Sequence, residues 1–259
     1  MKIKKLPYIL ILGVLGLASC ENLDDRYIPV EGVKPERKVL LTEFTGQRCV
    51  NCPTAHGIIE NLEEQYGEDL IVVSIHAGSN LNAIPAPAGL MQEEGNVYAD
   101  YWGINAYPAG IVDYQRPVLT MDQWAAPIRN DLTKPTDVGI QLDAQLSEDG
   151  RTIEISSRLS SSQSVAGKLQ LWISEDNIKA MQFSGSDRIP DYIHNNVFRA
   201  CVNGTWGTDI TLTPNFYLDE INSIEVDPSW DIANVNVVAF VYNDSGTLQA
   251  EKVRVALPD

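Results

Sequence analysis

The sequence predicts an α/β half followed by an all-β half, because the chain has two different periodicities. In residues 38–134, short continuous apolar runs alternate with amphipathic stretches. This pattern is typical of strands that are covered on both faces and joined by helices. In residues 136–259, apolar and polar side chains alternate one by one between turn-forming segments, which indicates antiparallel strands. We predict the boundary at Thr133–Thr136, where Lys and Pro interrupt both patterns.

The first half contains three predicted strands and two predicted helices. Val39–Phe44 and Leu70–Ile75 are apolar runs of strand length, and Pro53–Tyr66 between them carries the apolar stripe of a helix. The order strand–helix–strand predicts parallel neighbours with a right-handed crossover. Ala109–Tyr114 is predicted as a third strand and Met121–Leu132 as a second helix.

The second half is predicted to be a β-sandwich of immunoglobulin-like type. The alternating segments are Val138–Leu146, Ile153–Leu159, Leu169–Ile173, Val235–Val241 and Val253–Leu257. Asn-Asp-Ser-Gly lies between the last two segments, which predicts a hairpin. Roughly seven strands over about 120 residues are typical of two packed antiparallel sheets.

The composition excludes two classes of protein. The 259 residues include 19 Lys and Arg against 35 Asp and Glu, a formal net charge of −16, so a nucleic-acid backbone would be repelled. Four cysteines are too few for a scaffold built from disulfides. We therefore expect an acidic globular protein without a nucleic-acid partner.

The N-terminus has the pattern of an export signal. Three lysines precede the apolar run Leu6–Leu17, which is too short to span a bilayer as a helix. The run ends in Leu-Ala-Ser-Cys at Cys20 and resembles the lipobox of bacterial lipoproteins. The resemblance implies removal of residues 1–19, acylation of Cys20 and a membrane tether at residues 20–37. An ordinary secretory signal with an accidental cysteine is the alternative.

Cys49 and Cys52 have the clearest chemistry, since they lie between a predicted buried strand and the helix Pro53–Tyr66. A CxxC pair at this place in an exported protein predicts a thiol–disulfide site. The amides of a helix N-terminus and the cation of Arg48 both stabilise a thiolate. We expect Cys49 to attack and Cys52, one turn further in, to resolve mixed disulfides.

A zinc site is the alternative use of this motif. Cys49, Cys52 and His56 could supply three ligands, but structural zinc sites have four, and the fourth would have to come from elsewhere in the chain. We therefore predict no metal and no cofactor. We interpret His56 as a half-exposed helix residue.

Residues 40–52 resemble the strand-to-active-site segment of thioredoxins. The resemblance implies that Glu43 is a buried acid that relays a proton for the resolving cysteine. The run Tyr101–Val112 resembles the segment that leads into the family's cis-proline. It implies a cis Tyr107–Pro108 bond that docks the substrate chain beside the disulfide. We therefore expect a thioredoxin-like domain at residues 38–134.

Departures from the thioredoxin pattern leave the direction of the reaction open. Arg48 stands where the family has tryptophan, and Val50–Asn51 matches neither the Gly-Pro of reductases nor the Pro-His of oxidases. Residues 77–100 are an insertion that forms either a specificity lid or padding without a role. His76, at the end of the second strand, either tunes the site, serves as a proton donor or helps to dock substrate, or it is an ordinary loop histidine.

His194 and Cys201 are interpreted as structural residues. His194 lies in a strand-like run without a visible nucleophile or carboxylate arrangement. Cys201 is left over once the other three cysteines are assigned. It is predicted as a buried strand thiol, with an intermolecular disulfide as the alternative.

The whole layout resembles the 28-kilodalton outer-membrane protein family of Bacteroidetes. The features that carry the resemblance are the lipobox, an acidic tether, the CVNCP motif at residues 49–53, the segment Asp191–Arg199 and the VVAFVYN run at residues 237–243. The resemblance implies a lipid-anchored protein of the cell envelope, on the periplasmic or the outer face of the outer membrane.

Two functions remain open at this point. The first is a thiol–disulfide oxidoreductase that acts on thiol or disulfide protein substrates, with Cys49, Cys52 and Glu43 as its chemical groups. The second is a surface interaction protein, such as an adhesin or assembly subunit, that uses the β half and keeps the cysteine pair as a structural bridge. The fold alone does not decide between them.

Overall fold

A computed structural model describes residues 36–258. The predicted signal peptide, Cys20 and the tether up to residue 35 lie outside the described residues. Within residues 36–258, thirteen strands and three α-helices form a mostly β architecture. No helix in this part of the chain has the length and apolarity needed to cross a bilayer.

All three helices lie in the first half of the chain, and most strands lie in the second. The helices are α1 (Cys52–Tyr66), α2 (Glu93–Trp102) and α3 (Ala125–Leu132). The strands are β1 (Val39–Thr45), β2 (Leu70–His76), β3 (Ala109–Val112), β4 (Val138–Leu146), β5 (Thr152–Ser161), β6 (Val165–Glu175), β7 (Ile178–Ser184), β8 (Asp187–His194), β9 (Val197–Cys201), β10 (Thr208–Leu212), β11 (Leu218–Glu225), β12 (Val235–Asn243) and β13 (Gly246–Arg254).

The predicted strand–helix–strand unit at the start of the first half is confirmed. β1 and β2 are parallel neighbours, from Val39 opposite Leu70 to Thr45 opposite His76, and α1 connects them. Both strands are buried along their whole length, as expected for apolar runs that are covered on either face. β3 pairs antiparallel with the other edge of β1.

Two helical segments differ from the prediction. The helix expected at Met121–Leu132 begins as a 3-10 turn at Met121–Gln123, and α3 starts at Ala125. α2 lies largely within the insertion, where the sequence patterns predict no helix. Its buried residues do have helical spacing, but two of the four, Gly95 and Ala99, are too small to mark an apolar stripe.

One eight-stranded sheet includes strands from both halves of the chain. Its order is β13-β12-β6-β9-β2-β1-β3, with β10 paired to β6. The halves meet where β9 runs parallel to β2, with Val197 opposite Ser74. The amide of Ser74 also donates to the carbonyl of Asn196 at 2.7 Å. The predicted boundary at residues 134–136 lies in the connection between α3 and β4, and the sheet crosses it.

The expected sandwich is present in a modified form. β11, β5 and β4 form a separate three-stranded sheet, and its apolar face packs against alternate residues of β6, β10 and β12. The second layer of the sandwich is therefore part of the main sheet. The intervening residues of β12, such as Val238 and Phe240, are fully buried as well, because α2 and the first half cover the other face.

An aromatic cluster on that other face packs the two halves together. The ring of Trp172 lies 5.2 Å from that of Tyr98, 5.6 Å from Phe198 and 4.7 Å from Phe240. Its indole nitrogen donates to the hydroxyl of Tyr98 at 2.9 Å. All four residues are nearly or fully buried, so the core on this face belongs to both halves at once.

Candidate functional site

The disulfide lies at the junction of β1 and α1. Cys49 is in the turn after β1, Cys52 is the first residue of α1, and their sulfur atoms are bonded. Cys49 is 8% exposed and Cys52 is fully buried, so an external thiol reaches Cys49 first. The first turn of α1 carries no acidic residue, and the positive end of the helix dipole favours negative charge on a sulfur atom nearby.

A buried carboxyl group connects β1 with β2 and α1. Glu43 is fully buried on β1, and its Oε2 accepts a hydrogen bond from the hydroxyl of Ser74 at 2.6 Å. Its Oε1 lies 3.5 Å from Nε2 of His56 and has no hydrogen-bond partner among the described residues. His56 follows Cys52 by one turn of α1, so the helix that carries the disulfide also carries an imidazole in contact with a buried acid.

His56 continues this arrangement toward the protein surface. Its Nε2 lies 3.1 Å from the hydroxyl of Thr45, and its Nδ1 lies 2.8 Å from the hydroxyl of Tyr192 on β8. Tyr192 is half-buried, and burial raises its pKa to about 12. Hydrogen-bonding groups therefore extend from the buried Glu43 through His56 to a side chain that meets solvent.

All three histidines of the chain line one small cleft of about 30 Å³. The ring centroids of His76 and His194 are 5.3 Å apart, and those of His56 and His194 are 6.2 Å apart. Burial lowers the pKa of His76 well below its usual value, and the neighbouring imidazoles act in the same direction. Burial and His56 lower the pKa of His194 to about 4. His76 and His194 are therefore neutral at pH 7.

The sequence does not predict this cluster. His194 is expected to be structural and His56 to be half-exposed on its helix, whereas the side chain of His56 is only 15% exposed. His76 is placed by prediction among the docking residues, but it is only 2% exposed and has too little surface to touch a substrate. The cluster forms because α1, β2 and the end of β8 meet, which no linear pattern shows.

The β7–β8 hairpin covers the disulfide loop, which is the segment 46–51 between β1 and α1. Within residues 36–258 it pairs with no other strand, and instead two of its amides donate to carbonyls of that loop, Phe183 to Gln47 at 2.8 Å and Gly185 to Val50 at 3.1 Å. The side chain of Gln182 is fully buried and donates to the carbonyl of Cys49 at 2.9 Å. The second half of the chain therefore forms part of the disulfide site.

The insertion lies against the same loop. The amide of Arg48 donates to the carbonyl of Asn82 at 2.8 Å. The amide of Leu90 donates to Oε1 of Gln47 at 3.0 Å. These contacts place the segment directly against Gln47 and Arg48.

The Tyr107–Pro108 bond is cis, as predicted. It leads directly into β3, where Ala109 lies opposite Phe44 of β1, so it lies near the end of β1 from which the disulfide loop leaves. Tyr107 is half-buried and packs against Gly78, where a Cβ atom would come within 2.8 Å of the phenol oxygen. Gly78 also has a φ of +100°, a conformation that favours glycine.

Cys201 is a free thiol on β9, which confirms its prediction as a strand residue. Its sulfur lies 3.0 Å from the hydroxyl of Tyr98. Burial raises its pKa to about 11, so it remains protonated at pH 7. A protonated, half-buried thiol is a poor nucleophile.

The zinc alternative does not fit this geometry. Cys49 and Cys52 are bonded to each other, and both ring nitrogens of His56 already face protein groups. Among residues 36–258, no group of three or more His, Cys, Asp and Glu side chains is arranged to hold a metal ion.

These features define a mostly β protein in which one mixed sheet crosses both halves and a disulfide opens a helix at its edge. The model of the family described as Outer membrane protein Omp28 matches residues 95–258, more than half of the chain, and the chain belongs to this family. The match begins after Cys49 and Cys52, so membership alone says nothing about the disulfide. No curated protein matches the chain.

Solved structures are similar in fold at low sequence identity. HBP35 of Porphyromonas gingivalis has a TM-score of 0.68 at 14% identity, over 86% of this chain and 77% of that one. A structural-genomics protein from Agrobacterium tumefaciens has a TM-score of 0.50 at 14% identity, over 85% and 96%. A domain of the outer membrane lipoprotein Omp28 from Porphyromonas gingivalis is 20% identical over 48% and 92%, with a TM-score of 0.35. The first two likenesses show a shared fold and nothing about activity.

Proposed function

We propose that this protein is a thiol–disulfide oxidoreductase of the cell envelope, with a thioredoxin-like first half and a lipid anchor on Cys20. The observation that carries the proposal is the Cys49–Cys52 disulfide at the first turn of α1, the helix whose His56 lies 3.5 Å from the buried Glu43. A bridge that serves stability alone does not need an acid and an imidazole buried against its helix, since burying them without full pairing is costly.

The order of attack follows from the exposure of the two cysteine residues. A substrate thiolate attacks Cys49, which is the more exposed of the two, and Cys52 leaves as a thiolate near the amides of the helix N-terminus. In the opposite direction, the Cys49 thiolate attacks a substrate disulfide and Cys52 resolves the mixed disulfide. Glu43 and His56 take up or supply the proton that Cys52 exchanges.

Substrate docking is assigned to the same end of β1. The cis Tyr107–Pro108 segment offers main-chain groups for a substrate chain, and Arg48 is an exposed cation directly before Cys49. His76 acts through the histidine cluster, because its side chain is buried.

A second candidate is a surface interaction protein without catalytic activity, such as an adhesin or assembly subunit. The observation that favours it is the β7–β8 hairpin, which covers the disulfide loop and leaves Cys49 only 8% exposed. The disulfide would then fix the loop on which the hairpin sits, and the β half would bind the partner.

The reduction potential of the Cys49–Cys52 pair separates the two candidates. It is best measured in the Cys201→Ser variant, which lacks the unrelated thiol, together with turnover of insulin disulfides. For an oxidoreductase we expect a potential of about −120 to −270 mV, as in known catalytic pairs, and turnover that is lost in Cys49→Ser. A potential below about −300 mV without turnover identifies a structural bridge and overturns the proposal.

Membrane attachment is tested at Cys20, which lies outside the described residues. We expect Cys20→Ala to lose labelling by palmitate and to move the protein into the soluble fraction, because acyl chains then no longer anchor it. Cys201→Ala is the matched control and should keep both properties. Unchanged labelling of Cys20→Ala would contradict the anchor.

A further inference from the structure

A cleft beside the disulfide has the opposite charge to the chain as a whole. The chain carries a formal net charge of −16. The cleft between the insertion and the β7–β8 hairpin is nevertheless lined by the cationic side chains of Arg48, Lys179 and Arg188 and by no acidic one. Its volume of about 740 Å³ suits a small ligand or a short peptide segment.

The protein itself neutralises these cations only weakly. Within residues 36–258, their one ion pair is Lys179–Asp191 at 3.4 Å, and both side chains are more than half exposed. Exposed pairs of this kind contribute little, because water screens them. Arg48 donates to the main-chain carbonyl of Asn80, which fixes the guanidinium without cancelling its charge.

The position of the cleft ties it to the disulfide. Gln47 and Arg48, the two residues directly before Cys49, are among the residues that line it. Its hairpin wall is fixed to the same loop, since the amide of Phe183 donates to the carbonyl of Gln47 at 2.8 Å. A ligand in the cleft therefore contacts Arg48, the residue that directly precedes Cys49, the more exposed cysteine of the pair.

We propose that the cleft binds the carboxylates of an acidic peptide thiol, so that the Cys49–Cys52 disulfide oxidises cysteines flanked by Asp or Glu. This inference rests on the proposed oxidoreductase function and adds its substrate class. Three cations raise the local concentration of an anionic partner and disfavour a cationic one. In a protein of high negative charge, such a site selects acidic substrates that the remaining surface repels.

The proposed reaction balances with two peptide thiols and the disulfide. The first peptide thiolate attacks Sγ of Cys49, a peptide–Cys49 disulfide forms, and Cys52 leaves as a thiolate that takes up a proton. A second peptide thiolate then attacks the peptide sulfur of this mixed disulfide and releases Cys49. The two peptides are oxidised to a disulfide by loss of two electrons, and the Cys49–Cys52 pair is reduced to two thiols.

The test uses the full chain and three synthetic peptides, each with one cysteine flanked by Glu, Gln or Lys. The rate of attack is measured by trapping the mixed disulfide, and each rate is corrected for the thiolate fraction of its peptide. We expect the Glu peptide to react about tenfold faster than the Lys peptide at low salt. The ratio should fall toward one at 1 M salt, where the Debye length is about 3 Å.

Two double variants locate the effect. Lys179→Gln with Arg188→Gln should reduce the Glu-to-Lys rate ratio several-fold, because it removes two of the three cations. The control combines Arg129→Gln with Arg151→Gln, two exposed cations that do not line the cleft. It changes the net charge equally and should keep the ratio of the unmodified chain.

The possible failures are distinguishable. In one failure, all peptides and neutral dithiothreitol reduce the disulfide of the unmodified chain, but the Glu-to-Lys rate ratio is near one. This result overturns the proposed substrate class and leaves the proposed oxidoreductase function intact. A ratio that persists in Lys179→Gln with Arg188→Gln also overturns it. If neither the peptides nor dithiothreitol reduces the native disulfide, the proposed function fails together with this inference.

Discussion

The second half of the chain contributes two hairpins of opposite character. The β12–β13 hairpin lies within the main sheet, and β12 is buried on both faces along most of its length. The β7–β8 hairpin pairs with no further strand within residues 36–258, and most of β8 is exposed. An isolated two-stranded hairpin is marginally stable in water, so β7–β8 depends on its contacts with the disulfide loop. One hairpin lies in the core of the fold, and the other covers the loop that carries Cys49.

The largest expected difference between the hairpins is in stability. Phe240→Ala on β12 should lower the free energy of unfolding by about 3–5 kcal/mol, because the ring is fully buried against Trp172. Ile193→Ala on β8 should lower it by less than about 0.5 kcal/mol, because Ile193 is 47% exposed. Urea unfolding of both variants measures the difference, and equal losses would contradict the comparison.

The next effect is a pH dependence that is largest on the β7–β8 side. The pKa of His194 is about 4 in the folded chain against about 6.5 when unfolded, so the unfolded state binds the proton more tightly. The stability that neutral His194 provides is complete above about pH 6.5 and is lost as the pH falls toward 4. The loss amounts to about 3 kcal/mol.

Hydrogen exchange at residues 178–194 measures this loss. Protection there should fall between pH 6.5 and 4, after correction for the intrinsic exchange rate, and protection in β12 should change less. His194→Gln should reduce the dependence, with His76 supplying what remains. Constant protection of residues 178–194 between pH 6.5 and 4 in the unmodified chain would contradict a role of the histidine cluster in holding the hairpin in place.

The smallest effect concerns the contact between the hairpin and the disulfide loop. Gln182→Ala removes the donor that serves the carbonyls of Gly46 and Cys49 and should cost about 1–3 kcal/mol, since buried acceptors lose their partner. We also expect faster reduction of the disulfide by dithiothreitol. Gln141→Ala, at an exposed position on β4, is the control. Unchanged reduction in Gln182→Ala would show that the hairpin does not limit access.

The sequence predicts well those elements whose own residues determine both their secondary structure and which of their faces are buried. β1, α1 and β2 follow from two apolar runs and one amphipathic stripe. The β12–β13 hairpin follows from alternation on either side of Asn243–Gly246, and Val237 lies opposite Val253. In each case the signal is local, so the linear pattern is sufficient.

The parts that the sequence does not predict depend on tertiary contacts. The sequence does not predict the single sheet, because a strand of a sandwich is expected to have one face in water. In β12 that second face carries Phe240, which is fully buried. The β7–β8 hairpin escapes because its exposed strand carries Pro190 and little apolar alternation. The site is predicted as far as Cys49 and Cys52, while the cluster around His194 joins residues that are remote along the chain.

The pairing of β2 with β9 has a consequence for how the main sheet can assemble during synthesis of the chain. β2 and β9 meet where Val197 lies opposite Ser74, and β9 follows β2 by more than a hundred residues of chain. While the chain is being synthesised, β2 therefore has an unpaired edge whose residues are all buried in the folded protein, a form prone to pairing with other chains. Only when β9 emerges can Val197 take its place opposite Ser74.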